Sequence, residues 1–150
     1  MTNSSKDNSE FCRDRGSRNL GRLFLQLQRL EKNPRSFGDA GPLTPSEIHT
    51  IDAIGCGQAI LMSELANRLS VTKGAVSQVI KRLESQGLVQ RSAHPEDSRA
   101  SLISLTSKGV SAYHAHWQDH LHFYDQLRAK LSQQEIEMFE IGIEKLIELL

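Results

Sequence analysis

Apolar residues recur at helical spacing through most of this chain and alternate only in one short region. Near the N-terminus they follow one another at intervals of three and four: Leu20, Leu23, Phe24, Leu27 and Leu30. This spacing predicts an amphipathic helix over about 13–30. Residues 1–10 are polar and have no such period, so we expect a disordered tail there. The pattern as a whole predicts a mostly α fold with a small antiparallel β element.

Two short helices are predicted in the centre of the chain. The first covers about 62–69, and the second follows Thr72, whose hydroxyl can cap its first turn. The apolar positions of the second helix lie four and three residues apart and form one buried stripe: Val76, Ile80 and Leu83. Gly87 favours the left-handed conformation that ends a helix, so this helix should stop near Gln86. Two helices joined by so short a turn form the helix-turn-helix layout, in which the second helix enters the major groove of DNA.

A β-hairpin is predicted directly after the second helix. Residues 88–92 and 101–105 have the composition of short strands, and the polar tip at 93–100 contains Pro and Asp as turn formers. Residues 59–61 form a segment of suitable length for a third, short strand of the same sheet. Such a hairpin is a wing, and Arg99 on its far side is long enough to enter a narrow minor groove.

Capping residues predict three further helices, one from Thr44 to about 54, a long one over about 107–130 and a last one from Ser132 onward. The last helix carries a nearly heptad apolar stripe: Ile136, Phe139, Ile143, Leu146 and Leu150. The helix-turn-helix and the wing together form a small unit, which we call the winged head. The first helix and the last two offer more apolar surface than this unit can cover. We therefore expect a homodimer whose interface is built from both chain ends.

Three stretches resemble the MarR family of winged helix-turn-helix transcription regulators: SELANRLSVTKGAVSQVIKRLESQGLV at 63–89, DSRASLISLTSKG at 97–109 and LTPSEIHTIDAIG at 43–55. The likeness extends over roughly 15–150. It implies a single domain over 11–150, in which 44–106 is the DNA-binding winged helix and 11–32 and 107–150 are dimerisation helices. It also implies a homodimer that binds a pseudo-palindromic operator, with half-sites about one helical turn apart, and that acts as a repressor.

The net charge of zero argues against a DNA-binding protein until its distribution is considered. Phosphate contacts supply much of the affinity for DNA, and they need Lys and Arg. Between Met62 and Val110, seven Lys and Arg residues stand against four Asp and Glu, whereas from Ser111 onward three stand against seven. The predicted DNA-binding part is therefore basic and the C-terminal helices are acidic.

We predict DNA contacts in the second helix and the wing: Thr72, Lys73, Gly74, Ser77, Gln78, Lys81, Arg82, Arg91, Asp97 and Arg99. Ser77 and Gln78 can hydrogen-bond to base edges, whereas the cationic side chains can clamp phosphates. Gly74 lets the backbone approach DNA closely. Asp97 can pair with the guanidinium of Arg99 and orient it. The alternative is that this helix face is polar only because it is exposed to solvent. The position of the helix between a tight turn and a wing favours DNA contact.

Two kinds of effector site are compatible with the sequence, although no cofactor is required. The resemblance implies a small-molecule cleft between the dimer helices and the winged head, with these residues as its lining: Phe24, His49, Trp117 and Tyr124. Ordinary core packing is the alternative for each. His116 and His120 lie four residues apart on one helix face, and with His49 they could bind Zn²⁺, unless they are solvated surface histidines. Cys12 beside Arg13 could be a reactive thiol, or an inert one.

Other classes of protein find less support in the sequence. Phosphate-binding loops, nucleophile elbows and metalloprotease motifs are missing, so we expect a protein that is not an enzyme. No apolar run approaches the length of a membrane span, no signal peptide is apparent, and two separated cysteines fit a reducing cytoplasm. The remaining alternative is a winged helix that binds an acidic protein partner instead of DNA.

Overall fold

The computed structural model describes residues 4–30, 32–97 and 99–149, with side chains described from residue 14 onward. The helices of this described chain are α1 (Ser4–Leu30), α2 (Pro45–Ile54), α3 (Met62–Arg68), α4 (Lys73–Ser85), α5 (Ser107–Arg128) and α6 (Gln133–Leu149). The strands are β1 (Arg35–Ser36), β2 (Pro42–Leu43), β3 (Ile60–Leu61), β4 (Val89–Ala93) and β5 (Ser101–Leu105). The predicted mostly α fold with a small antiparallel wing is confirmed.

The hydrophobic core lies where α2, α3 and α4 pack against the sheet formed by β3, β4 and β5. Ile51 of α2, Leu65 of α3 and Ile103 of β5 have no solvent exposure. The predicted stripe of α4 is confirmed, since its members are all buried in this core: Val76, Ile80 and Leu83. The winged head therefore has a core of its own, independent of α1 and α6.

Helix α4 has well-defined ends. The Thr72 hydroxyl accepts a hydrogen bond from the amide of Ala75 at 3.2 Å, as predicted for an N-cap. At the other end Gly87 has a φ of 71°, and the amide of Leu88 donates to the carbonyl of Leu83 at 2.9 Å. This six-to-one bond, with glycine in the left-handed region, is a Schellman motif. Both ends of the helix are thus determined by local sequence.

The wing sheet has the strand order β3-β5-β4, and all its pairs are antiparallel. Its first wing strand was predicted at 88–92 and lies one residue later, because the amide of Leu88 is used by the end of α4. Ala93 pairs with Ser101, so the tip begins at His94 rather than at residue 93. The third strand begins at Ile60 instead of residue 59.

The N-terminal helix begins earlier than predicted. Helix α1 starts at Ser4, inside the segment that we expected to be a disordered tail, and that part of the tail prediction is wrong. Once a helix exists, each further residue adds one hydrogen bond without a new nucleation step, so a polar extension can follow an amphipathic helix. Residues 1–3 lie outside the described part of the chain.

A small hairpin between α1 and α2 was not predicted. Strands β1 and β2 pair antiparallel around a 3-10 turn at Gly38–Ala40, and Leu43 and Phe37 are buried. The ring of Phe37 meets the ring of His116 on α5 edge-on, with centroids 5.6 Å apart. The hairpin thus attaches the segment before α2 to α5.

Large apolar side chains on α1, α5 and α6 are exposed in the single chain. On α1 they include Leu23 and Leu27, whose exposed fractions are 45% and 47%, and on α5 they include Trp117. Among the described side chains of α6, only that of Ile136 is buried. Within the described part of one protomer, these side chains stay between about a third and four fifths exposed. In the described part of the chain, no helix is both long and apolar enough to cross a membrane.

Candidate nucleic-acid interface

One face of α4 points away from the core and carries most of the predicted DNA contacts. Five of these residues are exposed on or beside it: Lys73, Gly74, Gln78, Lys81 and Arg82. Ser77 is half-buried at the edge of this face. Because the opposite face supplies the core stripe, the helix is held firmly while its polar side stays accessible. This is the arrangement that a helix needs to present side chains to a groove of DNA.

Two of the predicted DNA contacts at the start of α4, Thr72 and Gly74, have different roles in the structure. The Thr72 hydroxyl is occupied by its capping bond to Ala75, which makes its first role structural. A Cβ at Gly74 would meet only Thr72 Oγ1, at 4.0 Å, so packing within the chain does not demand glycine there. The open surface at Gly74 leaves space for a close approach by another molecule.

Arg82 has a partner in the preceding helix. Its Nε lies 3.9 Å from Oε1 of Glu47, whose side chain is almost fully buried at the start of α2. The other oxygen of Glu47 accepts hydrogen bonds from the amide and hydroxyl of Thr44 at 2.8 and 2.9 Å, which confirms the predicted capping box. Arg82 therefore links α4 to α2 while more than half of its side chain stays exposed.

A basic groove lies between the N-terminal half of α4 and the base of the wing. Its volume is about 460 Å³, and three of the predicted DNA contacts bring positive charge to it: Lys73, Arg91 and Arg99. Side-chain hydroxyls add neutral hydrogen-bond donors to the same walls: Ser63, Ser77 and Ser101. Tertiary folding thus brings together cations that are up to 26 positions apart in sequence.

Two acidic residues contact the cations of the wing. Oε2 of Glu84 on α4 lies 3.1 Å from Nε of Arg91 on β4. Oδ1 of Asp97 accepts a hydrogen bond from the backbone amide of Arg99 at 2.9 Å. The contact of Asp97 is therefore with the backbone of Arg99 and orders the wing turn, whereas we had expected a contact with the guanidinium. Ser98, which lies between them, is outside the described residues.

Three histidine rings gather where α2 meets α5. The ring of His116 lies 4.2 Å from that of His120 and 6.1 Å from that of His49, between centroids. His116 is buried with no hydrogen-bond partner at Nδ1. Burial, and after it the neighbouring His120, lowers the pKa of His116, which favours its neutral form. In the described part of the chain, no three His, Cys, Asp or Glu side chains are arranged closely enough to hold an ion as they stand.

The residues predicted for a ligand cleft are spread over three helices. Phe24 on α1 and Trp117 on α5 are exposed in the single chain, and His49 is exposed on α2. Tyr124 contacts Glu140 of α6 through its hydroxyl, and this hydrogen bond raises the pKa of Tyr124. The cleft stays a prediction. Cys12 lies among the residues whose side chains are not described.

Sequence reasoning missed the role of Glu84, which we had counted only as an acidic residue. The signal was present, since Glu84 and Arg91 lie three residues before and four residues after Gly87, the turn between helix and strand. A chain that reverses direction at a Schellman motif brings such flanking residues side by side.

Comparisons with known proteins agree with this geometry. A family model described as MarR family matches residues 43–101. The multiple antibiotic resistance protein MarR of Salmonella typhimurium is 25% identical over 130 residues, which cover 85% of this chain and 90% of that protein. A crystal structure of Streptococcus pneumoniae FabT in complex with DNA is 26% identical with a TM-score of 0.78, and covers 91% of this chain and 95% of that one.

A crystal structure of a mutant MarR from Escherichia coli complexed with operator DNA is also 26% identical. Its TM-score is 0.62, and the match covers 85% of this chain and 93% of that one. The fold and the exposed basic helix beside a wing define a winged helix-turn-helix transcription regulator. Within that class, the chain is similar to the MarR family, whose model matches its winged-helix part.

Proposed function

We propose that this protein binds double-stranded DNA as a homodimer, with α4 in the major groove and the wing at the adjacent minor groove. The observation that carries the proposal is that the exposed polar face of α4 and the basic groove beside the wing lie on one surface. This is how winged-helix proteins present a recognition helix and a wing to the two grooves of one duplex. Regulators of this family are typically repressors relieved by a ligand, and we propose the same for this chain.

The homodimer is supported by the apolar faces that one chain leaves uncovered. Large side chains are exposed along α1 and α6, including Leu23, Phe24 and Ile147. Contiguous apolar surface of this extent is unusual in a monomeric soluble protein and is typical of subunit interfaces. A two-fold dimer built through these helices presents two copies of α4 to a pseudo-palindromic site.

The DNA interaction can be tested by fluorescence titration of labelled duplexes, after selection of bound genomic fragments. We expect tight binding that weakens steeply with salt and is enriched for one palindromic fragment. Arg99→Ala should weaken binding to that fragment more than tenfold, because it removes the cation at the tip of the wing that can enter the minor groove. Lys145→Ala removes the same charge from α6 and should change affinity little. Equal affinities for wild type and Arg99→Ala would exclude the role of the wing, and no binding to any duplex would exclude the function.

A second proposal concerns the effector, and the specific observation in its favour is the histidine cluster of α2 and α5. Two imidazoles on one tetrahedral zinc ion, each with a Zn–N bond near 2.1 Å, have ring centroids about 5 Å apart. The ring separations of 4.2 and 6.1 Å lie on either side of that value. A neutral His116 with an unpartnered nitrogen is ready to donate to a metal. A site formed by His49, His116 and His120 would require these rings to reorient, since they are not arranged to hold an ion as they stand.

Calorimetric titration of the protein with zinc chloride tests this effector proposal. We expect binding that is lost in His116→Ala and weakens as the pH falls, since protonated imidazole cannot bind metal. His114→Ala on the same helix is the matched control, because the His114 ring meets the Tyr113 ring edge-on, outside the cluster. DNA affinity measured with zinc and with EDTA should differ by at least about fivefold if the site is regulatory. Identical zinc binding by His116→Ala and His114→Ala would exclude the site.

The relatives found are regulators and not enzymes. We propose that this chain likewise acts by binding alone. Access to the chromosome is required for such a role, so we also propose that the protein works in the cytoplasm.

A further inference from the structure

The groove between α4 and the wing has a defined position relative to a bound duplex. In any double helix, a sugar-phosphate strand separates the major groove from the minor groove. A protein with one helix in the major groove and a wing at the minor groove must therefore face that strand with the surface between the two elements. In this protein, that surface is the basic groove formed by Lys73, Arg91 and Arg99.

The walls of the groove have the chemistry of a phosphate site rather than of a base-reading site. Lys73 and Arg91 supply positive charge from opposite sides, one from the first residue of α4 and the other from β4. The hydroxyls of Ser63 and Ser101 in the same walls can donate to phosphate oxygens without distinguishing one base from another. Three cations around one cavity repel one another in the free protein, and a bound anion would relieve that repulsion.

The contact between Glu84 and Arg91 determines how the guanidinium is presented. The carboxylate accepts a hydrogen bond from Nε of Arg91 at 3.1 Å. A guanidinium has five N–H donors, and a partner at Nε leaves the four donors of the two terminal nitrogens for another ligand. The side chain of Arg91 is 30% exposed, so it stays accessible to a ligand while Glu84 holds its Nε. Held in this way, it loses less conformational freedom when a ligand binds.

We propose that this groove binds one backbone phosphate of the DNA in each protomer, with Lys73 and Arg91 as its cationic ligands and Glu84 as the residue that orients Arg91. The inference rests on the proposed function, because it names the part of the DNA that this surface contacts. Arg99 adds positive potential from the side of the wing. Glu84 is a positioning residue, since it acts on the phosphate only through Arg91.

The first test is Arg91→Ala, titrated with the selected genomic fragment and with a random duplex of equal length at several salt concentrations. Loss of a phosphate ligand should weaken binding to both duplexes by the same factor. It should also reduce the slope of log affinity against log salt by about 0.9 for each protomer. Lys73→Ala should behave in the same way, so the test does not depend on the folding of one variant. A loss confined to the selected fragment, or an unchanged slope, would overturn the phosphate site.

The second test separates the orienting role of Glu84 from its charge. Glu84→Gln removes the charge but keeps a carbonyl oxygen that can accept from Nε of Arg91, whereas Glu84→Ala removes both. We expect the Ala variant to bind both duplexes at least threefold more weakly than the Gln variant. The matched control is Glu64, which is paired with Arg68 at 2.8 Å in the same winged head but does not line the groove.

Glu64→Ala and Glu64→Gln should bind DNA equally well. If the two Glu84 variants also bind equally, Glu84 does not orient Arg91 and that part of the proposal is wrong. Should wild-type protein bind neither duplex at any salt concentration, the proposed function itself fails. If wild type binds DNA and the variants bind equally well, only the phosphate site is wrong and the proposed function stands.

Discussion

At the scale of single residues, one glycine controls how the winged head is joined to α5. A Cβ at Gly109 would lie 2.0 Å from the carbonyl oxygen of Leu88. The same oxygen accepts a hydrogen bond from the amide of Thr106, and the Thr106 hydroxyl donates to the carbonyl of Gly87. Lys108 adds a bond from its ammonium to the end of α4. The start of α5 is thus fastened to the end of α4 at a distance that only glycine permits.

Gly109→Ala should therefore destabilise the protein. The contact is with backbone, which cannot rotate away, so the entry of α5 must shift and weaken the bonds around it. Overpacking of this kind costs typically about 1–3 kcal/mol, equivalent to a fall of several degrees in the unfolding midpoint for a chain of this size. Thermal unfolding followed by circular dichroism measures the change. Gly16→Ala is the control, because a Cβ there meets nothing within 4 Å; equal midpoints for the two variants would contradict the argument.

Residues with local roles were predicted well, and residues with distant partners were not. Thr72 and Gly87 were assigned to the ends of α4 from sequence, because a cap is formed by atoms within one turn. Asp97 was placed beside Arg99, yet its bond to the backbone amide was not foreseen. The pairing of Glu84 with Arg91 depends on the helix-to-strand turn and became clear only in three dimensions.

At the scale of elements, apolar periodicity and capping residues together identified every long helix within a few residues, apart from the start of α1. Helix α1 continues to Ser4 although its first residues are polar, since helix propagation needs no apolar face. The hairpin of β1 and β2 was missed because two-residue strands have no period to detect. Its place is fixed by Phe37 and Leu43, which enter the core from the segment between α1 and α2.

The three-stranded sheet shows how one element limits another. Strand β4 cannot begin before Val89, because the amide of Leu88 already closes α4. Strand β5 pairs with β4 along five residues and with β3 at Leu102 and Ile103, so the base of the wing is attached to the core. Because Arg91 belongs to this sheet, it is held beside α4, where its Nε lies 3.1 Å from Oε2 of Glu84. Arg91 and the first half of α4 therefore line one groove rather than forming two separate basic segments.

At the scale of the whole molecule, the uncovered apolar face of α1 predicts the oligomeric state. Replacing Leu23 and Leu27 together with Glu should convert the dimer to a monomer, because both side chains lie on the apolar stripe. DNA affinity should fall strongly, since two half-sites are no longer bound together. Light scattering at micromolar concentration measures the mass. Leu25→Glu is the control, because Leu25 is exposed on the opposite side of the helix; a wild-type monomer would contradict the proposal.

The sequence by itself determined the helices apart from the start of α1, the helix-turn-helix, the wing and the basic character of the winged head. These follow from interactions between near neighbours in the chain, which periodicity, caps and local charge report. Tertiary structure alone decided which cations share a groove, that Glu84 holds Arg91, and that three histidines of α2 and α5 meet. Those contacts join residues of different elements, and only the packing of the elements sets their distances. The same packing decides which apolar faces are left for a second copy of the chain.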